Sequence, residues 1–247
     1  MTDATPPVLE LRGVDAGYRQ FRALFDVSVE VSAGRAVALV GSNGAGKTTL
    51  ARVASGLVAP TSGSVLIDGV DVTGAPAHSI ATMGVVHAPE GRATFGSLTV
   101  EENLVLPFHR QFGRGGVGAA LDRAYELFPR LGHRRRQMAG SLSGGEQRML
   151  TLARVLVSEP RLLIADELSL GLAPIITSEV YLVLERIHDA GTALLVVEQH
   201  LDQALAIADE VVVLDRGRVV FRGAPDEMPD GAGASLSPVP VAAEDRP

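Results

Sequence analysis

The chain has 247 residues, 46% of them hydrophobic, enough for a sizeable core in one α/β unit, and the lack of cysteine excludes a disulfide framework or a thiolate metal site. With 22 basic and 29 acidic residues the formal charge is −7, which argues against a large phosphate-backbone-binding surface and so against nucleic acid as a partner. The opening residues MTDATPP carry neither a basic segment nor an apolar core, and no run of about 18 apolar residues occurs, so the chain is expected to be neither exported nor membrane-spanning by its own sequence.

From residue 8 to residue 31 the pattern alternates as two β segments, with the turn expected at Gly17-Tyr18. Gly34 precedes an apolar strand at 36–40, which leads into GSNGAGKT at 41–48 and then a helix over 49–54. That loop fits G-x-x-x-x-G-K-[ST] between a buried strand and a helix, the context a phosphate cradle needs. Gly41, Gly44 and Gly46 permit positive φ and let backbone N–H groups converge on phosphate oxygens, assisted by the helix start. Ser42, Asn43, Ala45 and Thr49 complete the expected nucleotide-binding set. Lys47 is positioned to neutralise the β- and γ-phosphates of ATP, and the Thr48 hydroxyl to ligate Mg²⁺.

Farther on, the strand 65–67 is followed by Asp68-Gly69, a hairpin-type turn. Residues 92–158 carry mostly helical periodicity, broken at 113–118, and are expected to form a helical lobe inserted between parts of the core. Within it the basic run at 133–136 is most simply a solvated face. It precedes LSGGEQ at 142–147, where Ser143, Gly144, Gly145 and Glu146 open a helix whose apolar positions are Met149, Leu152, Ala153 and Leu156. The free N–H groups and the hydroxyl there form a second anion nest, although a helix cap alone would also explain Ser143.

The apolar run from Arg161 ends in Asp166 and Glu167, as expected of a buried parallel strand delivering carboxylates to its C-terminal edge. Asp166 is the expected metal-side acid and Glu167 the expected general base. A helix over 174–190 stops at Gly191, a buried strand follows at 192–197, and a helix is expected over 201–208. Strands at 211–214 and 218–221 are joined by Asp215-Arg216-Gly217. From residue 229 to 247 the composition turns to Pro, Ala, Asp, Gly and Ser, which reads as a disordered tail, and no internal repeat is visible.

Together these motifs resemble the ATP-binding subunits of ABC transporters over residues 8–228. The resemblance implies a P-loop α/β core (8–91 and 159–228) with an N-terminal antiparallel β part and the inserted lobe. It also implies that LSGGEQ closes over the γ-phosphate of a partner subunit, so that two ATP molecules are sandwiched in a head-to-tail dimer of like or sister chains. The segments at 89–92 (PEGR), 98–104 (LTVEENL), 169–174 (SLGLAP) and 197–199 (VEQ) look like the second, LivF-type ATPase of branched-chain amino acid importers. Most of the wider superfamily carries glutamine at the position of Glu90 and histidine at that of Gln199.

By this resemblance Tyr18 stacks on adenine, Glu90 senses Mg²⁺ or the attacking water, and Gln199 occupies the switch position beside the γ-phosphate. His200 lies one step away, on the opposite side of an extended chain. Relatives read Asp-Glu-Pro where this chain has Leu168, so Glu167 is expected to be freer and hydrolysis slower. The implied setting is peripheral, on the cytoplasmic side of a membrane, with integral permease subunits as partners and a solute-binding protein acting indirectly. Two other readings remain: a non-transport ABC ATPase, though those usually carry coiled-coil insertions or a tandem cassette, and a module that closes on ATP with little turnover.

Overall fold

The structure is a computed structural model describing residues 6–89, 94–199 and 201–229. Two sheets form its frame. In the first, β1 (Leu9–Tyr18), β2 (Phe21–Val31), β4 (Ser62–Ile67) and β5 (Val70–Asp71) are ordered β2-β1-β4-β5 and antiparallel throughout. The β1–β2 turn falls at Arg19-Gln20, two residues beyond its expected place, because Gly17 pairs with Arg22 inside the ladder. A Cβ at Gly17 would stand 2.0 Å from the Phe21 carbonyl oxygen, so this glycine serves close strand approach and not the turn. Asp68-Gly69, both at positive φ, makes the expected tight hairpin between β4 and β5.

The second sheet is mixed. β3 (Ala36–Val40), β6 (Val85–Ala88), β7 (Leu162–Asp166), β8 (Ala193–Glu198), β9 (Glu210–Asp215) and β10 (Arg218–Gly223) lie in the order β10-β9-β3-β8-β7-β6, parallel except for the β9–β10 hairpin at one edge. Its central strands β3, β7 and β8 are apolar up to their C-terminal ends because both faces are covered, whereas the edge strand β10 alternates exposed and half-buried positions. Ala36, Ala38 and Val40 face one apolar cluster with Leu163, Ala165, Leu194 and Val196; Val37 and Leu39 face another with Leu162, Ile164, Leu195 and Val197. The second cluster takes in α1 (Lys47–Ala54) and the antiparallel sheet.

The first cluster takes in α5 (Gly144–Leu156), α6 (Pro174–Asp189) and α7 (Leu201–Ile207), and continues into α3 (Val100–Leu127) and α4 (Pro129–His133). The small helix α2 (Ala77–Thr82) leads into β6. Helix α3 starts with a capping box, Thr99 with Glu102, and is interrupted only at Gly113 (φ 65°). The glycines after it at 115, 116 and 118 stay helical, so the expected break is shorter than the composition suggested. The tail from 230 onward lies outside the described residues.

Backbone hydrogen bonds join the two sheets at a seam. Phe25 N–H donates to the Gly217 carbonyl and Gly217 N–H to the Ala45 carbonyl, both at 2.8 Å, which links β2, the β9–β10 turn and the loop after β3.

Candidate functional site

The loop between β3 and α1 is shaped by its glycines in two ways. Gly44 (φ 80°) and Gly46 (φ 108°) adopt the left-handed conformations the sequence predicts. Gly41 does not; a Cβ there would come within 2.3 Å of the Leu214 carbonyl oxygen, so it is needed for close packing on β9. Gly46 caps α1 without any side-chain hydrogen bond, leaving the first N–H groups of the helix without a side-chain acceptor. Beside the loop is a polar recess of about 420 Å³ lined by Ser42, Asn43, Gly44, Ala45, Asp215 and Arg216.

Lys47 is buried, and its ammonium donates to the carbonyls of Gly41 (2.8 Å) and Ser42 (3.2 Å). It also stands 3.7 Å from Glu167 Oε1. Burial pulls the Lys47 pKa down, while Glu167 and Asp166 favour its charged form. At the next residue Thr48 Oγ1 donates to Asp166 Oδ1 at 3.3 Å, bringing α1 and the end of β7 together. Lys47, Thr48, Asp166 and Glu167 therefore converge as expected.

Two hard oxygens facing each other beside a lysine and a row of N–H groups form a donor set that suits Mg²⁺ with a phosphate. The other oxygen of Asp166 faces His87 Nε2 at 3.6 Å, and His87 Nδ1 lies 3.0 Å from Ser55 Oγ. Thus Asp166 and its neighbour His87 touch α1 near both of its ends.

Glu167 has φ 48°, the left-handed region that a non-glycine residue occupies only when its surroundings hold it there. Its N–H donates to Val197 O (2.9 Å) and its carbonyl accepts from Arg148 Nη2 (3.1 Å). Leu168 is buried in the core. These contacts hold the chain on both sides of Glu167 where relatives carry a proline. Arg148 reaches Pro89 O as well (3.0 Å), joining α5 to the ends of β6 and β7. Sequence patterning did not single it out, since an arginine on a helix ordinarily reads as solvated.

Past Glu167 the chain is fastened once more. Glu198 at the end of β8 is 2% exposed, and its carboxylate accepts from Ser169 N–H (3.2 Å) and Ser169 Oγ–H (2.9 Å). Burial raises the Glu198 pKa, the Ser169 bonds oppose the rise, and the like charge of Glu167 adds to it. Gln199, the expected switch residue, is half-buried next to it. Tyr18 ends β1, is 42% exposed, and accepts a hydrogen bond from Arg52 Nη1 at 3.1 Å, which leaves its ring open to a ligand. Glu90 and His200 lie outside the described residues.

The LSGGEQ segment stands apart. Among the described residues no hydrogen bond or ion pair joins Ser143, Gly144, Gly145 or Glu146 to Lys47, Thr48 or Asp166. Ser143 is spent on a capping box: its N–H and hydroxyl donate to Glu146 Oε2 (both 2.9 Å), and its oxygen accepts from Glu146 N–H. The expected free hydroxyl is therefore engaged within its own helix turn. Gly145 packs on α6, where a Cβ would meet Ile176 at 2.7 Å, whereas Gly144 faces open space. The basic run beside it is exposed at all four positions, as expected of a solvated face, with Arg134 paired to Glu146 (2.8 Å) and Arg135 to Glu101 (3.8 Å) on that surface.

Comparison with known proteins bears on this arrangement. The sequence profile described as ABC transporter matches residues 24–169. The high-affinity branched-chain amino acid transport ATP-binding protein BraG of Pseudomonas aeruginosa is 43% identical, over 87% of this chain and 91% of that protein. The probable branched-chain amino acid transport ATP-binding protein LivF of Archaeoglobus fulgidus is 35% identical over 87% and 91%. A solved ATP-binding subunit of an ABC transporter superposes with a TM-score of 0.77 at 29% identity, covering 89% of this chain and 91% of its own.

Proposed function

This chain belongs to the ABC transporter family as one of its ATP-hydrolysing subunits, and from that premise we propose that it drives an importer of branched-chain or related amino acids. It works on the cytoplasmic side of the membrane, seated on integral permease subunits that a separate solute-binding protein loads. The observation that carries the reading is the meeting of Thr48 and Asp166 next to buried Lys47, at the open end of α1.

In this reading the N–H groups of residues 41–49 and the Lys47 ammonium bind the triphosphate, and Tyr18 stacks on adenine. Thr48 and Asp166 would hold Mg²⁺, with Glu90 contributing, and the ion when bound neutralises phosphate charge. Glu167 orients a water and takes its proton as the water oxygen attacks the γ-phosphorus and the bond to the β-phosphate oxygen breaks, giving ADP and phosphate. Alternation along β8, continued by one residue, puts position 199 on the same face as Val197 and Asp166, which supports Gln199 in the γ-phosphate position.

Ser143, Gly144, Gly145 and Glu146 serve the nucleotide held by a second ATPase subunit, identical or sister, in a head-to-tail dimer. Residues 8–91 with 159–228 act as the nucleotide-binding core and 92–158 as the lobe carrying LSGGEQ.

The permease side is proposed at the groove of about 890 Å³ between β6 and the lobe, where Phe95 and Leu106 are each 53% exposed beside Pro107, Arg110 and Arg154. Exposed apolar side chains around a concave surface mark a protein partner's seat. Uptake of labelled leucine by cells carrying the permease genes, with this chain present or deleted, tests the cargo; unchanged uptake overturns it. For the chemistry, Glu167→Gln is expected to keep Mg-ATP binding while hydrolysis falls about 10²–10⁴-fold. Lys47→Ala is expected to weaken binding by about 10–100-fold, as loss of a charge-assisted contact of ~1.5–3 kcal/mol implies.

A further inference from the structure

Glu198 is a buried acid that the reaction outlined above does not use. It lies at the end of β8, next to Gln199; both oxygens accept from one residue of another segment, the backbone N–H and the hydroxyl of Ser169, and the buried Tyr181 hydroxyl of α6 also bears on it. Ser169 follows Glu167 by two positions, and Glu167 is itself pinned to β8 through the Val197 carbonyl. The chain from 167 to 169 is thus sewn to the end of β8 at both of its ends, with Leu168 packed into the core between them. A backbone at positive φ returns to an ordinary conformation unless held, and the two Ser169 bonds close the far side of that hold.

A carboxylate removed from water at this depth is costly, and the two Ser169 hydrogen bonds, with the Tyr181 hydroxyl beside them, offset that cost. A merely structural tie could be made by an apolar pair at lower cost. We propose that Glu198 is a positioning residue for hydrolysis: its bidentate grip on Ser169 fixes the left-handed turn at Glu167 and binds the segment that carries the base to the strand that carries Gln199, so that the two groups keep one spacing.

This rests on the reading of Glu167 as the base, and the experiment separates the two. Steady-state ATPase and Mg-ATP calorimetry are measured on the full chain for Glu198→Ala, Glu198→Gln, Ser169→Ala, the Ser169→Ala/Glu198→Ala double variant and Glu167→Gln, each checked by circular dichroism. Glutamine can still accept from the Ser169 N–H and donate to its hydroxyl. Glu198→Gln is therefore expected to stay within about threefold of the parent in kcat. Glu198→Ala is expected to lose about 10–100-fold in kcat, the scale of a small misplacement of a reacting group, with the nucleotide Kd within about twofold.

Ser169→Ala, which keeps the backbone N–H bond to Glu198 and removes only the hydroxyl's, is a second variant should Glu198→Ala fail to fold. It is expected to lose a smaller factor in kcat, and the double variant is expected to be no slower than Glu198→Ala. The proposal is overturned if Ser169→Ala keeps the parental kcat, if the two single effects multiply in the double variant, or if Glu198→Gln falls as far as alanine. A parental rate in Glu167→Gln would instead sink the assignment of the base.

Discussion

At the scale of single residues, the site depends on a residue in an uncomfortable backbone conformation. Glu167 sits at φ 48°, held by Val197 O, by Arg148, and by the burial of Leu168 on its far side. The sequence suggested that leucine in place of proline loosens this position. The geometry assigns leucine an anchoring role, so Leu168→Pro is expected to bring no gain in ATPase rate and a loss of stability. Leucine-to-alanine changes at comparable buried sites cost ~2–5 kcal/mol, and thermal melts alongside steady-state rates of Leu168→Pro and Leu168→Ala check the point. A rate increase in Leu168→Pro would restore the original expectation.

Lys47, Thr48, Asp166 and Glu167 were legible in the sequence because each sits in a motif whose chemistry fixes both residue type and spacing. His87, Arg148 and the bonding of Glu198 were not. Their roles come from contacts between segments 19 to 79 positions apart, which no local pattern records.

Among the elements, the parallel strands β3, β7, β8 and β9 were readable from apolar runs, since burial on both faces leaves no polar side to confuse the pattern, whereas the short β6, with His87 within it, was not. The turn of β1–β2 was misread because glycine signals both turns and close strand approach, and only the partner strand tells them apart. That ladder also carries a titrating contact. Asp15 accepts from Ser62 Oγ–H and Asp26 N–H and pairs with Arg22, which together lower its pKa to about 2.

A carboxyl whose folded pKa is depressed stabilises the fold above its unfolded value, near 3.8, and that contribution is lost as pH falls toward 2. The difference in melting temperature between parent and Asp15→Asn is therefore expected to be full at pH 6 and to narrow between about pH 4 and pH 2; a difference independent of pH would contradict it. Arg148 acts between elements too, joining α5 to the ends of β6 and β7. Arg148→Ala is expected to slow hydrolysis at least about tenfold, as for a group that positions the base, with a smaller effect on nucleotide affinity by calorimetry.

For the whole molecule, the order of the strands sets where the nucleotide edge and the lobe groove lie. The phosphate loop and the Asp166 edge lie on the frame built from the sheets, while the groove at Phe95 and Leu106 lies between β6 and the lobe. Leu106→Glu is expected to reduce uptake and co-purification with the permease while the ATPase rate of the isolated chain stays within about twofold, since Leu106 is 53% exposed and surface substitutions are usually small in their effect on the fold. Equal loss of both activities would place the groove in the hydrolytic machinery.

The junction where Gly217 meets Ala45 and Phe25 has a further implication. Any side chain added at Gly217 would collide with the Ala23 carbonyl oxygen at 2.3 Å, on a backbone already at φ 77°. Such a lesion would spread the sheets apart and slacken the cradle between them. Nucleotide binding by a Gly217→Ala variant is therefore expected to weaken as it does in Lys47→Ala, although Gly217 bonds to the backbone of Phe25 and Ala45, and calorimetry with Mg-ATP would show the loss.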